Sequence, residues 1–190
     1  MLSGRRLDLL DPSPLDIEIE DIAHGLARVA RWNGQTVGDH AYSVAQHSML
    51  VLRIGEKIFD KMAPHWHLAA LLHDAPEYVV GDMISPFKAV MGGDYKSIET
   101  RLQHAIHMRF SLPLELTIVE HKAIKTCDRM AAFFEATNLA GFSDDEAGQF
   151  FSRPRGVSLD DLGDLISPMP AQVAQKAFLK SFESLSQALN

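Results

Sequence analysis

Four side chains with metal-binding chemistry occupy positions where the sequence predicts burial. His73 and Asp74 end a nearly continuous apolar stretch, and a carboxylate buried there without a compensating charge would be costly. His47 and Asp128 each have apolar residues three or four positions away, which predicts that both face inward from their own helices. Three separate predicted helices thus direct two imidazoles and two carboxylates toward the interior.

Such a set can hold one divalent cation, with water in the remaining coordination positions, and the cation would compensate both carboxylates. Histidine and carboxylate ligands accept manganese, cobalt, nickel, iron, zinc or magnesium, so the sequence leaves the identity of the ion open. Taken singly, His47 is better explained as a hydrogen-bonded core histidine than as a ligand, and Asp128 is as well explained as the partner of a buried arginine. Only the joint pattern favours the metal.

Apolar residues at helical spacing predict the elements that must position these side chains. One helix ends near residues 32–34, a second covers about 37–59, and a third opens at Pro64 and bends at Pro76. A short helix opens at Ser85-Pro86, another begins at Asp94, and the last two cover about 114–140, closed by Gly141, and about 171–187.

These elements predict an all-α, compact, single-domain helical bundle over residues 1–190, with a core at about 20–140. Residues 142–170 are rich in Asp, Ser, Gly and Pro, which predicts a long, partly ordered connection with a short helix near 159–165.

Composition narrows the class of function. The net charge of -7 and the lack of a basic stripe argue against binding to nucleic acid or to anionic membranes. A small phosphorylated substrate, attracted by a local cation, fits better. Cys127 is the only cysteine, and no apolar signal segment or membrane span is evident, so a cytoplasmic location is expected.

The joint pattern resembles the HD-domain phosphohydrolase superfamily, and within it the bacterial 5′-deoxynucleotidase branch and related phage-type hydrolases. The resemblance covers about residues 20–140 and also rests on four flanking stretches: residues 31–34 (Arg-Trp-Asn-Gly), 42–47 (Tyr-Ser-Val-Ala-Gln-His), 72–77 (Leu-His-Asp-Ala-Pro-Glu) and 81–82 (Gly-Asp). It implies an all-helical HD domain that hydrolyses a phosphate ester, often a nucleoside 5′-monophosphate. Analogy also suggests a homodimer.

Two further carboxylates are candidates for catalysis. Glu77 lies four positions after His73 and three after Asp74, so it can face the metal and take the proton of the attacking water. An ordinary surface glutamate is the alternative. The resemblance makes Asp82 a second carboxylate near the attacking water or the leaving oxygen, whereas position alone would suit a helix cap.

Three residues are candidates for substrate binding. Arg31 can hold a phosphate by paired hydrogen bonds, and Trp32 can stack on a base. Without the resemblance they would be a charged surface residue and a core aromatic. Lys88 matches a position near the phosphate in the nucleotidase branch, with a solvated lysine as the alternative.

Two other functions stay open at this stage. Some HD proteins hold two metals and cleave phosphodiesters with additional histidines, for which the chain offers His104, His107 and His121. The second alternative is a regulatory module that binds a nucleotide without catalysis. The presence of Glu77 and Asp82 argues against this alternative. His40, seven residues before His47, is predicted to share its helix face and to contact it.

Overall fold

A computed structural model describes residues 1–83, 90 and 93–189 of the chain. Eight α-helices lie in the described part: α1 (Ile19–Leu26), α2 (Val44–Ile58), α3 (Pro64–Leu71), α4 (Glu77–Val80), α5 (Gly93–Arg109), α6 (Ile118–Asn138), α7 (Asp144–Phe150) and α8 (Ala171–Gln187). Four short 3-10 turns accompany them: Pro14–Asp16, Arg31–Gly34, Leu159–Asp161 and Gly163–Ile166. Strand pairing among the described residues is limited to one isolated bridge between Ala30 and Ser43. The all-α prediction is confirmed.

Local capping explains where the two main helices of the site begin. The Ser43 hydroxyl accepts a hydrogen bond from the backbone N–H of Gln46 at the start of α2. Thr117 and Glu120 form a reciprocal capping box at the start of α6. After α6 the chain turns at Gly141, whose φ of 77° is accessible to glycine without steric strain. These signals determine where α2 and α6 begin and where the chain leaves α6.

Four predicted boundaries were wrong. The long helix predicted over about 114–140 begins later, at Ile118, because Thr117 caps it there. The first helix ends at Leu26, because the chain then forms a 3-10 turn in which Trp32 and Asn33 have left-handed φ angles of 55° and 51°. The second begins at Val44 and not at 37, so His40 is an exposed loop residue that lies outside the helix of His47. The third ends at Leu71, before the predicted bend.

The core forms where α2 packs against α3 and α6. A Cβ atom added at Gly55 would lie 2.6 Å from Cη2 of Trp66, so a side chain at that position would prevent α2 and α3 from approaching this closely. Helix α8 contributes Ala174 and Phe178 to the same buried cluster. The C-terminal helix therefore packs on the core that carries the predicted ligands.

The segment 142–170 is more ordered than predicted. Beyond α7 and two 3-10 turns, it is held by Gln46, whose side-chain amide donates to the carbonyl of Ser167 at 2.8 Å and accepts from the N–H of Met169 at 3.2 Å. Tyr42 donates its hydroxyl to the carbonyl of Leu165. Both anchoring residues lie just before His47, so this segment braces the start of α2.

A transmembrane helix was not found: within residues 1–83, 90 and 93–189, each helix is too short or too polar to cross a bilayer.

Candidate functional site

The four predicted metal ligands meet at one place. His47 comes from α2, His73 and Asp74 from the turn after α3, and Asp128 from α6. Oδ2 of Asp74 lies 3.5 Å from Nε2 of His47 and 3.2 Å from Nε2 of His73. Oδ1 of Asp128 lies 3.4 Å from Nε2 of His47. Ligand atoms of His47, His73 and Asp128 all lie within 4.8 Å of one another.

The donor set fits a divalent cation. Nε2 of His47 and Nε2 of His73 are buried and make no hydrogen bond, so the carboxylate contacts of 3.2 to 3.5 Å are close without having hydrogen-bond geometry. Two ligands of one cation keep a similar spacing when each lies about 2.1 Å from the ion. The Nδ1 atom of His73 is 2.9 Å from the carbonyl oxygen of Ala70, which leaves the lone pair of its Nε2 for a metal.

The histidines of this centre lower the pKa of both carboxylates. Burial alone would raise the pKa of Asp74, but the charges of His73 and His47 outweigh it and hold that pKa well below its usual range. Burial would also raise the pKa of Asp128, but His47, together with His73 and Lys125, lowers it well below its usual value. Both carboxylates are therefore ionised, as metal ligands must be.

Glu135 is a site residue that the sequence analysis missed. Its side chain is fully buried, and Oε1 lies 2.6 Å from Nδ1 of His47. Burial would raise the pKa of Glu135, but the charges of His47 and Arg31 lower it to about 2. Burial and the charge of Arg31 would lower the pKa of His47. The carboxylates of Glu135 and Asp128 outweigh both effects and raise this pKa to about 10. A carboxylate thus orients the imidazole from the side opposite the ligand cluster.

Arg31 and Trp32 reach the same glutamate. Arg31 donates from Nε and Nη2 to Oε2 of Glu135 at 3.4 and 3.3 Å, and Trp32 donates from Nε1 at 2.9 Å. The indole ring packs against Phe142 and Phe151 at centroid distances of 5.9 and 5.7 Å. The structure places both predicted substrate-binding residues beside the ligand cluster, and their roles toward a substrate stay predictions.

The two predicted catalytic carboxylates follow the ligand turn. Glu77 is 2% exposed, and its backbone N–H donates to the carbonyl of Asp74. The Asp82 side chain is 9% exposed and lies 3.5 Å from Nη1 of Arg31. Burial of both side chains disfavours the alternatives of a surface glutamate and a solvated cap. Lys88 and the predicted start of a short helix at Ser85-Pro86 lie outside the described residues.

A cleft of about 830 Å³ opens onto the ligand cluster between α5 and α6. His73, Asp74 and Asp128 belong to its lining, and the Nζ atom of Lys125 pairs with Oδ2 of Asp128 at 2.8 Å. The rest of the lining mixes cations, carboxylates, imidazoles, neutral polar groups and apolar side chains: Lys96, Lys122, Glu99, Glu115, His104, His107, His121, Thr100, Gln103, Ala69, Leu114, Leu116, Ile118 and Ile124. A substrate that combines an anionic group with an apolar or aromatic group would match this lining.

The histidines considered for a second metal line this cleft but form no ligand cluster. Among the described residues, one group of three metal-ligating side chains was found, and it contains none of His104, His107 and His121. His107 is 4% exposed, and its Nδ1 is hydrogen-bonded to the carbonyl oxygen of Pro113 at 2.6 Å. Burial lowers the pKa of His107. In the described part of the chain the geometry supports one metal site.

Comparison with known proteins agrees with this geometry. Residues 22–144, which span all four predicted ligands, match the family described as 5′-deoxynucleotidase YfbR-like. An uncharacterized protein from Rhodobacter capsulatus is 55% identical over 170 residues, which cover 90% of this chain and 87% of that protein. The chain belongs to the YfbR-like 5′-deoxynucleotidase family of HD-domain phosphohydrolases.

Proposed function

We propose that the protein removes the 5′-phosphate from deoxynucleoside 5′-monophosphates and that this hydrolysis requires one divalent cation. One observation carries the proposal. The Nε2 atoms of His47 and His73 are buried and make no hydrogen bond. They lie 3.2 to 3.5 Å from carboxylate oxygens of Asp74 and Asp128. When bound there, a divalent cation would neutralise charge on a phosphoryl oxygen and lower the pKa of a water molecule.

The cleft supports a nucleotide as the substrate. Its volume of about 830 Å³ lies within the range of about 300–1,000 Å³ typical of small-molecule sites. The phosphate would lie beside His73, Asp74 and Asp128, which line the cleft. The apolar wall from Leu114 to Ile124 would then be available to the nucleoside. A monophosphate places one scissile group at the ligand cluster and the remaining atoms in the cleft.

Glu77 and Arg31 are assigned separate tasks in hydrolysis. The water oxygen bonds to phosphorus, the P–O5′ bond breaks, and its electron pair stays on O5′, which then takes up a proton. Glu77, buried directly after the ligand turn, accepts the proton that the water loses. Arg31 offers a guanidinium to the phosphate, with Asp82 holding Nη1 of Arg31. Arg31 and Trp32 do not line the cleft, so their contacts with the phosphate and the base are proposed on the resemblance. Lys88 is kept as a further phosphate contact on the resemblance alone.

Phosphate release from a panel of nucleoside mono-, di- and triphosphates, each with several divalent metals, tests the proposal. We expect release from deoxynucleoside monophosphates that needs metal and is lost in Asp74→Asn. Asp164→Asn is the matched control, because Asp164 is exposed and distant in sequence from the ligands. No release from any monophosphate would overturn the proposal.

Two other results would select the alternative functions. Cleavage of bis(p-nitrophenyl) phosphate, without release from monophosphates, would indicate the two-metal phosphodiesterase. Nucleotide binding by calorimetry, without hydrolysis of any compound in the panel, would indicate a regulatory module. Homodimerisation is a separate proposal by analogy, which sedimentation velocity tests.

A further inference from the structure

Glu135 lies between two parts of the site that come from distant stretches of the chain. It follows Asp128 by seven residues on α6, so the two side chains lie on the same face of that helix, two turns apart. Its side chain is fully buried. A buried carboxylate persists only where charged or hydrogen-bonding partners compensate it.

The two oxygens of this carboxylate serve different partners. Oε1 lies 2.6 Å from Nδ1 of His47, which directs Nε2 of the same ring toward Asp74 and Asp128. Oε2 accepts from Arg31 and from Nε1 of Trp32. One oxygen therefore orients a predicted metal ligand, and the other holds the predicted substrate-binding residues.

The turn that carries Arg31 and Trp32 needs such an anchor. Trp32 and Asn33 have φ angles of 55° and 51°, in the left-handed region that non-glycine residues seldom adopt. Two consecutive residues of this kind persist only where surrounding contacts hold them. Those contacts are the bond from Trp32 to Glu135, the rings of Phe142 and Phe151 around the indole, and the bond from the N–H of Arg31 to the carbonyl of Tyr42.

We propose that Glu135 is a positioning residue that couples the Arg31–Gly34 turn to the metal centre through its shared carboxylate. Loosening the turn then disturbs the orientation of His47, and disturbing His47 alters the turn. A glutamine at this position could accept bonds with its one oxygen on only one side, and its amide would face donors on the other. The inference rests on the proposed function, because it assigns the metal to His47 and the substrate to Arg31 and Trp32.

Mn²⁺ affinity of the metal-stripped protein, measured by calorimetry, provides a test that does not require hydrolysis. We expect Glu135→Gln to raise the Kd for Mn²⁺ about 10- to 100-fold, the usual effect of losing a carboxylate that orients a ligating histidine. At saturating Mn²⁺ the KM for the nucleotide should rise as well. A role confined to folding would lower the amount of active protein and leave both Kd and KM unchanged.

Trp32→Phe tests the coupling more directly and is less disruptive to the fold. It keeps an aromatic ring against Phe142 and Phe151 but removes the N–H donor to Glu135. We expect the Kd for Mn²⁺ to rise about two- to tenfold, the range typical of coupling through a contact network. Trp66→Phe is the matched control, since Trp66 is fully buried and donates its N–H to the carbonyl of Glu120, away from Glu135.

The results of the Mn²⁺ measurements either support or overturn the proposed coupling through Glu135. An unchanged Kd in folded Glu135→Gln, or equal Kd values for Trp32→Phe and Trp66→Phe, would overturn the coupling. Should circular dichroism show that Glu135→Gln does not fold, Trp32→Phe decides alone. A wild type that binds Mn²⁺ but hydrolyses no nucleotide would overturn the proposed function and leave the Mn²⁺ comparison valid. A wild type that binds no Mn²⁺ would overturn both.

Discussion

Oδ2 of Asp74 lies 3.2 Å from Nε2 of His73, although the two residues are neighbours in the chain. Consecutive side chains on a regular α-helix point about 100° apart, which would direct one of them away from the cluster. Helix α3 ends at Leu71, and residues 72–76 form a turn before α4. Ending the helix two residues before His73 therefore allows one dipeptide to supply two candidate metal ligands.

Asp74→Asn tests this arrangement through stability as well as activity. A ligand that binds only the folded state stabilises it by about 2.7 kcal/mol at a concentration 100 times its Kd. We therefore expect Mn²⁺ to raise the Tm of the wild type and to leave the Tm of Asp74→Asn nearly unchanged. Differential scanning fluorimetry across a Mn²⁺ titration measures the difference.

The exposed Asp164→Asn variant should retain the full Mn²⁺-dependent shift. Asp128→Asn should behave like Asp74→Asn, because Oδ1 of Asp128 lies 3.4 Å from the same His47 Nε2 atom. Equal shifts in the wild type and in both ligand variants would mean that Mn²⁺ binds elsewhere on the protein.

The inward positions of His47, His73, Asp74 and Asp128, the candidate metal ligands, were predictable because each residue stands on an apolar helical stripe or at its end. Glu135 had the same kind of signal: it lies seven residues after Asp128 within the apolar run of residues 130–136. An acidic residue at that position of a buried helix needs a partner. Its partners were not readable, because His47, Trp32 and Arg31 are 88, 103 and 104 residues away in sequence.

The errors in helix bounds have local causes. Periodicity placed His40 on the helix of His47, but the Ser43 cap begins that helix four residues before His47. A serine followed by an apolar run is itself a helix-start signal, and it outweighed the spacing. The left-handed pair at Trp32 and Asn33 had no such signal, since its conformation depends on tertiary contacts with Glu135 and with the rings of Phe142 and Phe151.

Gly55→Ala tests the close packing of α2 on α3. Alanine stabilises a helix interior relative to glycine by about 1 kcal/mol, but its Cβ would lie 2.6 Å from the ring of the fully buried Trp66. Overpacking a core typically costs about 1–3 kcal/mol, so we expect a net loss of stability in urea unfolding. Gly93→Ala is the control, because a Cβ there meets no described atom within 4 Å. A Gly55→Ala variant as stable as the wild type would show that Trp66 can move aside.

Cys127 should be chemically inert in the folded protein. Its side chain is fully buried, and burial, together with the charge of Asp128, raises the pKa of the thiol to about 12. Because the thiolate is the reactive form, few molecules would react at pH 8. We expect no reaction with Ellman's reagent under native conditions and one thiol per chain in guanidinium chloride. Rapid native labelling would indicate that α6 opens locally near the ligand Asp128.

The ion pair of Lys57 and Asp161 gives a pH-dependent prediction for the segment after α7. Nζ of Lys57 lies 2.8 Å from Oδ1 of Asp161. That hydrogen bond, followed by those from the backbone and side chain of Ser158, lowers the pKa of Asp161 to about 2. A carboxylate whose pKa is lower in the folded state stabilises the fold above its unfolded pKa of about 3.9, and that contribution is lost as the pH falls toward the folded value.

Asp161→Asn should therefore have a smaller free energy of unfolding than the wild type at pH 7. This difference in free energy should stay constant down to about pH 5 and become smaller below about pH 4. Urea unfolding at pH 7, 5 and 3.5 measures the difference in free energy of unfolding. The pair is solvent-accessible, so 1 M NaCl should also narrow it. Asp160→Asn, at the exposed neighbouring position, should show no such pH dependence. A gap that widens as the pH falls would have the wrong sign for a lowered pKa and would mean that Asp161 stabilises the segment through its neutral form.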